Sequence, residues 1–151
     1  MRKRTSGSRG QSLVEFALVA PFVILMIFAL FDFGRAIYAY NAVSNAAREG
    51  ARIAIVDQGP ASGGVSLAAQ EAADQATALG LDPSDSNEIR VTYRLPDLSA
   101  NCPTPPSFGC VAEVRVQYAF KAITPMIDGI VGPITLSSTT QIPVERTYQT
   151  P

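Results

Sequence analysis

With 151 residues the chain has room for one small domain and an anchor. It contains no histidine, which excludes Ser–His and Cys–His nucleophiles and the common zinc sites its two cysteines might otherwise join. No enzymatic activity, metal or cofactor is expected. The formal charge of −1 hides an asymmetry, because Arg2, Lys3, Arg4 and Arg9 all lie in the first ten positions. The rest of the chain holds 8 basic and 13 acidic residues, a net −5, with no basic patch interleaved with aromatics. A nucleic-acid partner is therefore not expected.

In chain order, the first element is an apolar run. Phe16 to Phe31 carries no charge over 16 residues, or roughly 24 Å of helix, short of a hydrocarbon core of about 30 Å. Starting at Leu13 gives 19 residues and about 28 Å, but that span contains Glu15. The helix crosses comfortably if Glu15 sits near the cytoplasmic boundary or finds a partner. The cluster of basic residues before the run predicts a cytoplasmic N-terminus and an exported remainder. A cleaved signal peptide is the competing reading. It would need a small-x-small site, and "FDFGRAIYAYNA" offers only Ala39 with Ile37 two positions before it.

Helical spacing continues past the apolar run. "DFGRAIYAYNAVSNAAREGARIAIV" has no proline, and Ala42, Ala46, Gly50 and Ala54 recur every four residues with Ala47 and Ala51 beside them. This strip of small residues predicts close packing, either on the chain's own sheet or against another helix. Gly50 in mid-helix costs roughly 1 kcal/mol against alanine, which a packing role would explain. Arg48, Glu49 and Arg52 form a charged edge. The helix is expected from Gln11 to about Val56, roughly 70 Å long, bent at Pro21 where the bond to the Ala17 carbonyl is lost. "DQGPASGG", residues 57–64, ends it.

Downstream, residues 66–79 read as an alanine-rich helix with Ser66 as N-cap and Gly80 just past its end. "IRVTYRL", residues 89–95, alternates Ile89, Val91, Tyr93 and Leu95 with polar residues. "VAEVRVQYAF", residues 111–120, directs Val114, Val116, Tyr118 and Phe120 inward. A third stretch puts Ile134, Leu136, Ile142 and Val144 on one side. Such alternation predicts half-buried antiparallel strands, for which the long helix is the nearest cover. The expected architecture is α+β, a helical spine on a small meander sheet. Four segments follow: a leader (1–10), a transmembrane helix (11–32), its extramembrane extension (33–56) and an exported α+β domain (57–151).

Cys102 and Cys110 bracket "CPTPPSFGC" between two predicted strands. An even pair outside the cytoplasm reads as a disulfide, with roughly 2–3 kcal/mol of loop-closure stabilisation. Asp82, Asp85 and Glu88 lie in a Pro/Ser/Asn-rich stretch. A solvated turn is the reading there, against a paired acid/base or a calcium loop; a loop of the EF-hand type would carry a central glycine.

The stretch "RGQSLVEFALVAPFVILMIFALFDFGRAIYAYNAVSNAAREGARIA", residues 9–54, resembles the TadE/TadG-like family of the tight-adherence (Tad, Flp-type) pilus system. The likeness rests on Gly10, Gln11, Ser12, Glu15, Phe16, Pro21 and "AAREGAR" at 46–52. It implies a pilin-like fold and a minor pilin or pseudopilin required for pilus assembly. The implied partners are a prepilin peptidase, other pilins, assembly-machine proteins and the lipid membrane. The implied location is the cytoplasmic membrane, single-pass, with incorporation into an extracellular pilus as a further step. It also implies cleavage between Gly10 and Gln11, which makes Glu15 residue five of the mature chain. Gln11 departs from the phenylalanine common at that position in major type IV pilins. Cleavage would create an ammonium on Gln11. A carboxylate and an ammonium near low dielectric are costly apart and less so together. Glu15 could neutralise the amine of its own chain, at i and i+4, or that of a neighbouring subunit, setting axial register. The alternative is an unprocessed single-pass protein whose exported domain binds a ligand or envelope partner.

Overall fold

The computed structural model describes residues 8–57, 65–103, 106, 108–124, 129 and 132–145, with Ser8 and Arg9 described by backbone alone. Helix α1 runs from Ser8 to Val56 and helix α2 from Leu67 to Gln75, followed by a 3₁₀ turn at Thr77–Leu79. Strands β1 (Ile89–Arg94), β2 (Val111–Phe120) and β3 (Ile134–Pro143) complete the order. The fold class is α+β, as the alternation and the long apolar helix predict. The chain divides into two compact units. One comprises Met1–Arg35 with Lys121–Pro133, the other Ala36–Phe120 with Ile134–Pro151.

In the second unit the three strands form an antiparallel meander in the order β1-β2-β3. β2 is central, pairing from Ile89↔Val116 to Arg94↔Val111 on one side and from Val111↔Pro143 to Phe120↔Ile134 on the other. Its even positions Ala112, Val114 and Val116 are fully buried. Glu113 on the opposite face pairs with Arg94 at 3.3 Å and accepts from Gln141 at 2.7 Å, a polar ladder across all three strands.

Helices cover the buried face. Ala46, Ala47, Gly50, Ala51 and Ala54 of α1 are buried together with Ala68, Ala69, Ala72 and Ala73 of α2. Alanine contributes about 0.8 kcal/mol per buried methylene-sized group, so this core is held by close fit more than by area. Gly50 marks the tightest point. A Cβ there would lie 2.9 Å from the Ala68 carbonyl oxygen, 3.0 Å from Ala72 Cβ and 3.2 Å from Val114 Cγ1. The small-residue strip therefore meets both the chain's own second helix and its own sheet; Ala42, at its N-terminal end, is only partly buried. The end of α1 is tied in by Tyr93, whose hydroxyl donates to the Ala54 carbonyl at 2.9 Å. That carbonyl is one of the last four of the helix, which have no partner within it. Burial, with the nearby Asp57 charge, pushes the Tyr93 phenol up to about 12.

Four sequence expectations need correction. Helix α1 begins at Ser8, not Gln11, so Gly10 is already helical. The second helix does not run to residue 79: at Ala76 it tightens, with the Thr77 hydroxyl donating back to the Asp74 carbonyl and the Leu79 N–H to the Ala76 carbonyl. Such side-chain bonds compete with a regular helical ladder. Ser66 is the N-cap, accepting from the Ala69 N–H at 3.2 Å, and Gly80 closes the turn at φ +64°. Leu95 lies outside β1, where the chain turns back through its N–H bond to Ala100. Ile134 is exposed, since it pairs with Phe120 at the end of the ladder beyond the alanine-covered core. Residues 58–64 of the expected helix stop lie outside the described residues; at the end of the described helix the Asp57 N–H donates to the Ile53 carbonyl.

Candidate functional site

The N-terminal motif stands on the first turns of α1. Gly10, Gln11, Ser12, Glu15 and Phe16 are all exposed. A Cβ on Gly10 would meet nothing within 4 Å, and its φ is not positive. Among the described residues, neither packing nor backbone conformation requires glycine there, in contrast to Gly50. Glu15 lies one helical turn beyond Gln11 on the same side. Among the described residues no side chain pairs with its carboxylate.

Between the motif and Asp32 the side chains of the helix are largely exposed among the described residues. Phe16, Phe22, Met26 and Leu30 each expose about 70% of their surface or more. By length and composition α1 is long and apolar enough to cross a membrane, and none of its most apolar window is buried in the protein. A contiguous apolar surface of this size is uncommon on a soluble monomer. Pro21 lies inside this stretch, and the helix continues through it.

The sequence reading missed Asp32. It stands at the end of the apolar run and is only 6% exposed. One carboxylate oxygen accepts from the Ile123 N–H at 3.0 Å and the other from the Thr124 N–H at 2.9 Å. Arg35, one turn on, reaches it at 3.4 Å. Asp32 thus fastens the start of the β2–β3 connection to the helix. An acid closing an apolar run, three residues before an arginine, was the available signal; its partners 91 and 92 positions away were not.

The other singled-out residues serve the second unit. Cys102 and Cys110 are disulfide-bonded, with Cα atoms 6.3 Å apart. The Cys102 N–H donates to the Tyr93 carbonyl at 2.8 Å, and the Cys110 carbonyl accepts from the Val144 N–H at 2.7 Å. The bridge therefore links the end of β1 to the start of β2. In the acidic stretch, Asp82 accepts from the Ser84 N–H and hydroxyl at 2.8 and 2.6 Å, which hold its carboxyl below the usual range. Asp85 accepts from the Asn87 N–H and Glu88 from the Asp82 N–H. These carboxylates already satisfy turn backbone, the solvated-turn reading.

No curated protein and no solved structure matches the chain. Residues 10–52 match the family model of TadE-like protein, so the family resemblance read from the sequence holds over the span from Gly10 through Asp32 to Gly50.

Proposed function

We propose that this protein is a non-enzymatic, minor pilin-like component in the assembly of a Tad (Flp-type) surface pilus. The TadE-like match suggests involvement in Tad pilus assembly; the finer role is our reading. In it α1 crosses the cytoplasmic membrane with its N-terminus inside, a prepilin peptidase cleaves after Gly10, and Glu15 partners the new Gln11 amine in its own chain or a neighbour's. The observation that carries it is Gly10: the family match begins at this residue, while nothing among the described residues requires glycine there. A glycine serves an enzyme that must bring catalytic groups against a backbone carbonyl.

One observation favours the unprocessed alternative. Gly10 lies within α1, and a protease needs the scissile bond extended. The first turn of a helix lacks intrahelical partners for its N–H groups and frays readily, so cleavage requires melting that turn only. The test is the mature N-terminus, by intact mass, with and without a co-expressed prepilin peptidase. Processing predicts a chain beginning at Gln11, and Gly10→Val should leave the full-length precursor. A parent chain that keeps its leader with active peptidase present refutes the proposal.

A further inference from the structure

The proposed processing and amine pairing make no use of the Asp32 clamp, which buries a carboxylate at the far end of the apolar run. What it holds is the backbone of Ile123 and Thr124. Thr124 is buried, whereas Ile123 leaves 67% of its surface uncovered. On the helix beside Asp32, Phe31 and Phe33 are 67% and 63% exposed. These apolar surfaces continue the uncovered surface of the proposed span. Between Arg115 and Glu145 the sequence has only two charges, Lys121 and Asp128.

We infer that the start of the β2–β3 connection is a second membrane contact, in which Asp32 holds Ile123 at the outer end of the helix so that its side chain enters the outer-leaflet interface of the phospholipid bilayer. The inference rests on the reading that residues 11–32 span the membrane. Irregular backbone is tolerated at the edge of hydrocarbon only where its polar groups are satisfied by protein. One carboxylate does this for two successive N–H groups, and Arg35 offsets its charge. The aromatic ring of Phe33, one residue past Asp32 and exposed, suits the same depth, where aromatic side chains collect. The bilayer is chosen as occupant because the patch is continuous with a span that lipid already covers.

The chain has no tryptophan, so single-tryptophan variants of the full-length protein report position directly. Phe22→Trp marks the middle of the span, Ile123→Trp the proposed contact, and Thr139→Trp the exposed face of β3. Each is placed in phosphatidylcholine vesicles containing lipids brominated deep in the acyl chain or near the headgroup. The expected result is deep quenching of Phe22→Trp, shallow quenching of Ile123→Trp by about twofold or more, and none for Thr139→Trp. Adding Asp32→Ala to Ile123→Trp should abolish most of the shallow quenching while the β-sheet circular dichroism signal persists. Phe22→Trp quenched with Ile123→Trp behaving like Thr139→Trp overturns the second contact and leaves the span intact. Neither quenched overturns the span as well. Undiminished shallow quenching in the Asp32→Ala background overturns the role given to Asp32.

Discussion

Replacing Gly50 by alanine sets two effects against each other, and the structure decides the sign. Helix propensity alone favours alanine by about 1 kcal/mol. The added methyl, however, would sit 2.9 Å from the Ala68 carbonyl oxygen. That atom belongs to the backbone of the first turn of α2, so no side-chain rotation relieves the contact. Ala72 Cβ at 3.0 Å and Val114 Cγ1 at 3.2 Å close the remaining directions. Either α2 or the sheet must move, and overpacking of this kind costs about 1–3 kcal/mol. The net expectation is a loss of about 1 kcal/mol, or roughly 4–8 °C in Tm for a unit of this size. Gly34 is the matched control: it lies in the same helix, and a Cβ there meets nothing within 4 Å. Gly34→Ala should keep or raise stability, by up to about 1 kcal/mol. Thermal unfolding of the full-length protein in detergent, followed by circular dichroism, reads both. A Gly50→Ala protein as stable as the parent would refute the account of the small-residue strip as the contact that sets the spacing of α1, α2 and β2.

Replacing Cys102 and Cys110 by serine should lower stability by about 2–3 kcal/mol, measured by denaturant unfolding, and leave leader processing unchanged; free thiols in native exported protein would contradict the bond. Tyr93→Phe leaves the Ala54 carbonyl without its donor and should cost about 1 kcal/mol. Because the folded phenol is raised to about 12 against about 10 unfolded, its contribution is complete below pH 10. It falls away as the pH climbs toward 12, a slope in an alkaline stability profile that Tyr93→Phe should remove. Glu15→Gln keeps volume and loses charge, so it should still be processed while association with other pilins declines; assembly at the parent level would exclude amine pairing. Ser86→Cys in a chain lacking Cys102 and Cys110 should react with an impermeant thiol reagent on intact cells, and labelling only after lysis would reverse the topology.

Local pattern determined much of this protein. The uncharged run from Phe16 marks a helical stretch left largely exposed among the described residues, because a fold does not leave an apolar surface on that scale unburied without a reason. Strict two-residue alternation gave β2 its full extent, Val111–Phe120, since a half-buried strand must send successive side chains to opposite faces. Spacing of two cysteines around a short loop between strands identified the disulfide, and the four-residue interval of Ala46, Gly50 and Ala54 identified a close contact. What only the tertiary structure decided was the partner of each. The strip left open whether the sheet or another helix would meet it, and both α2 and β2 do at Gly50, because small residues permit close approach without selecting what approaches. Ile134 fitted the inward pattern yet is exposed, because alternation assigns a face and not the extent of its cover. Asp32 drew no notice in the sequence. Its carboxylate is bound by N–H groups that every non-proline residue possesses, so no side-chain motif marks them, and only the folded chain brings Ile123 and Thr124 to it.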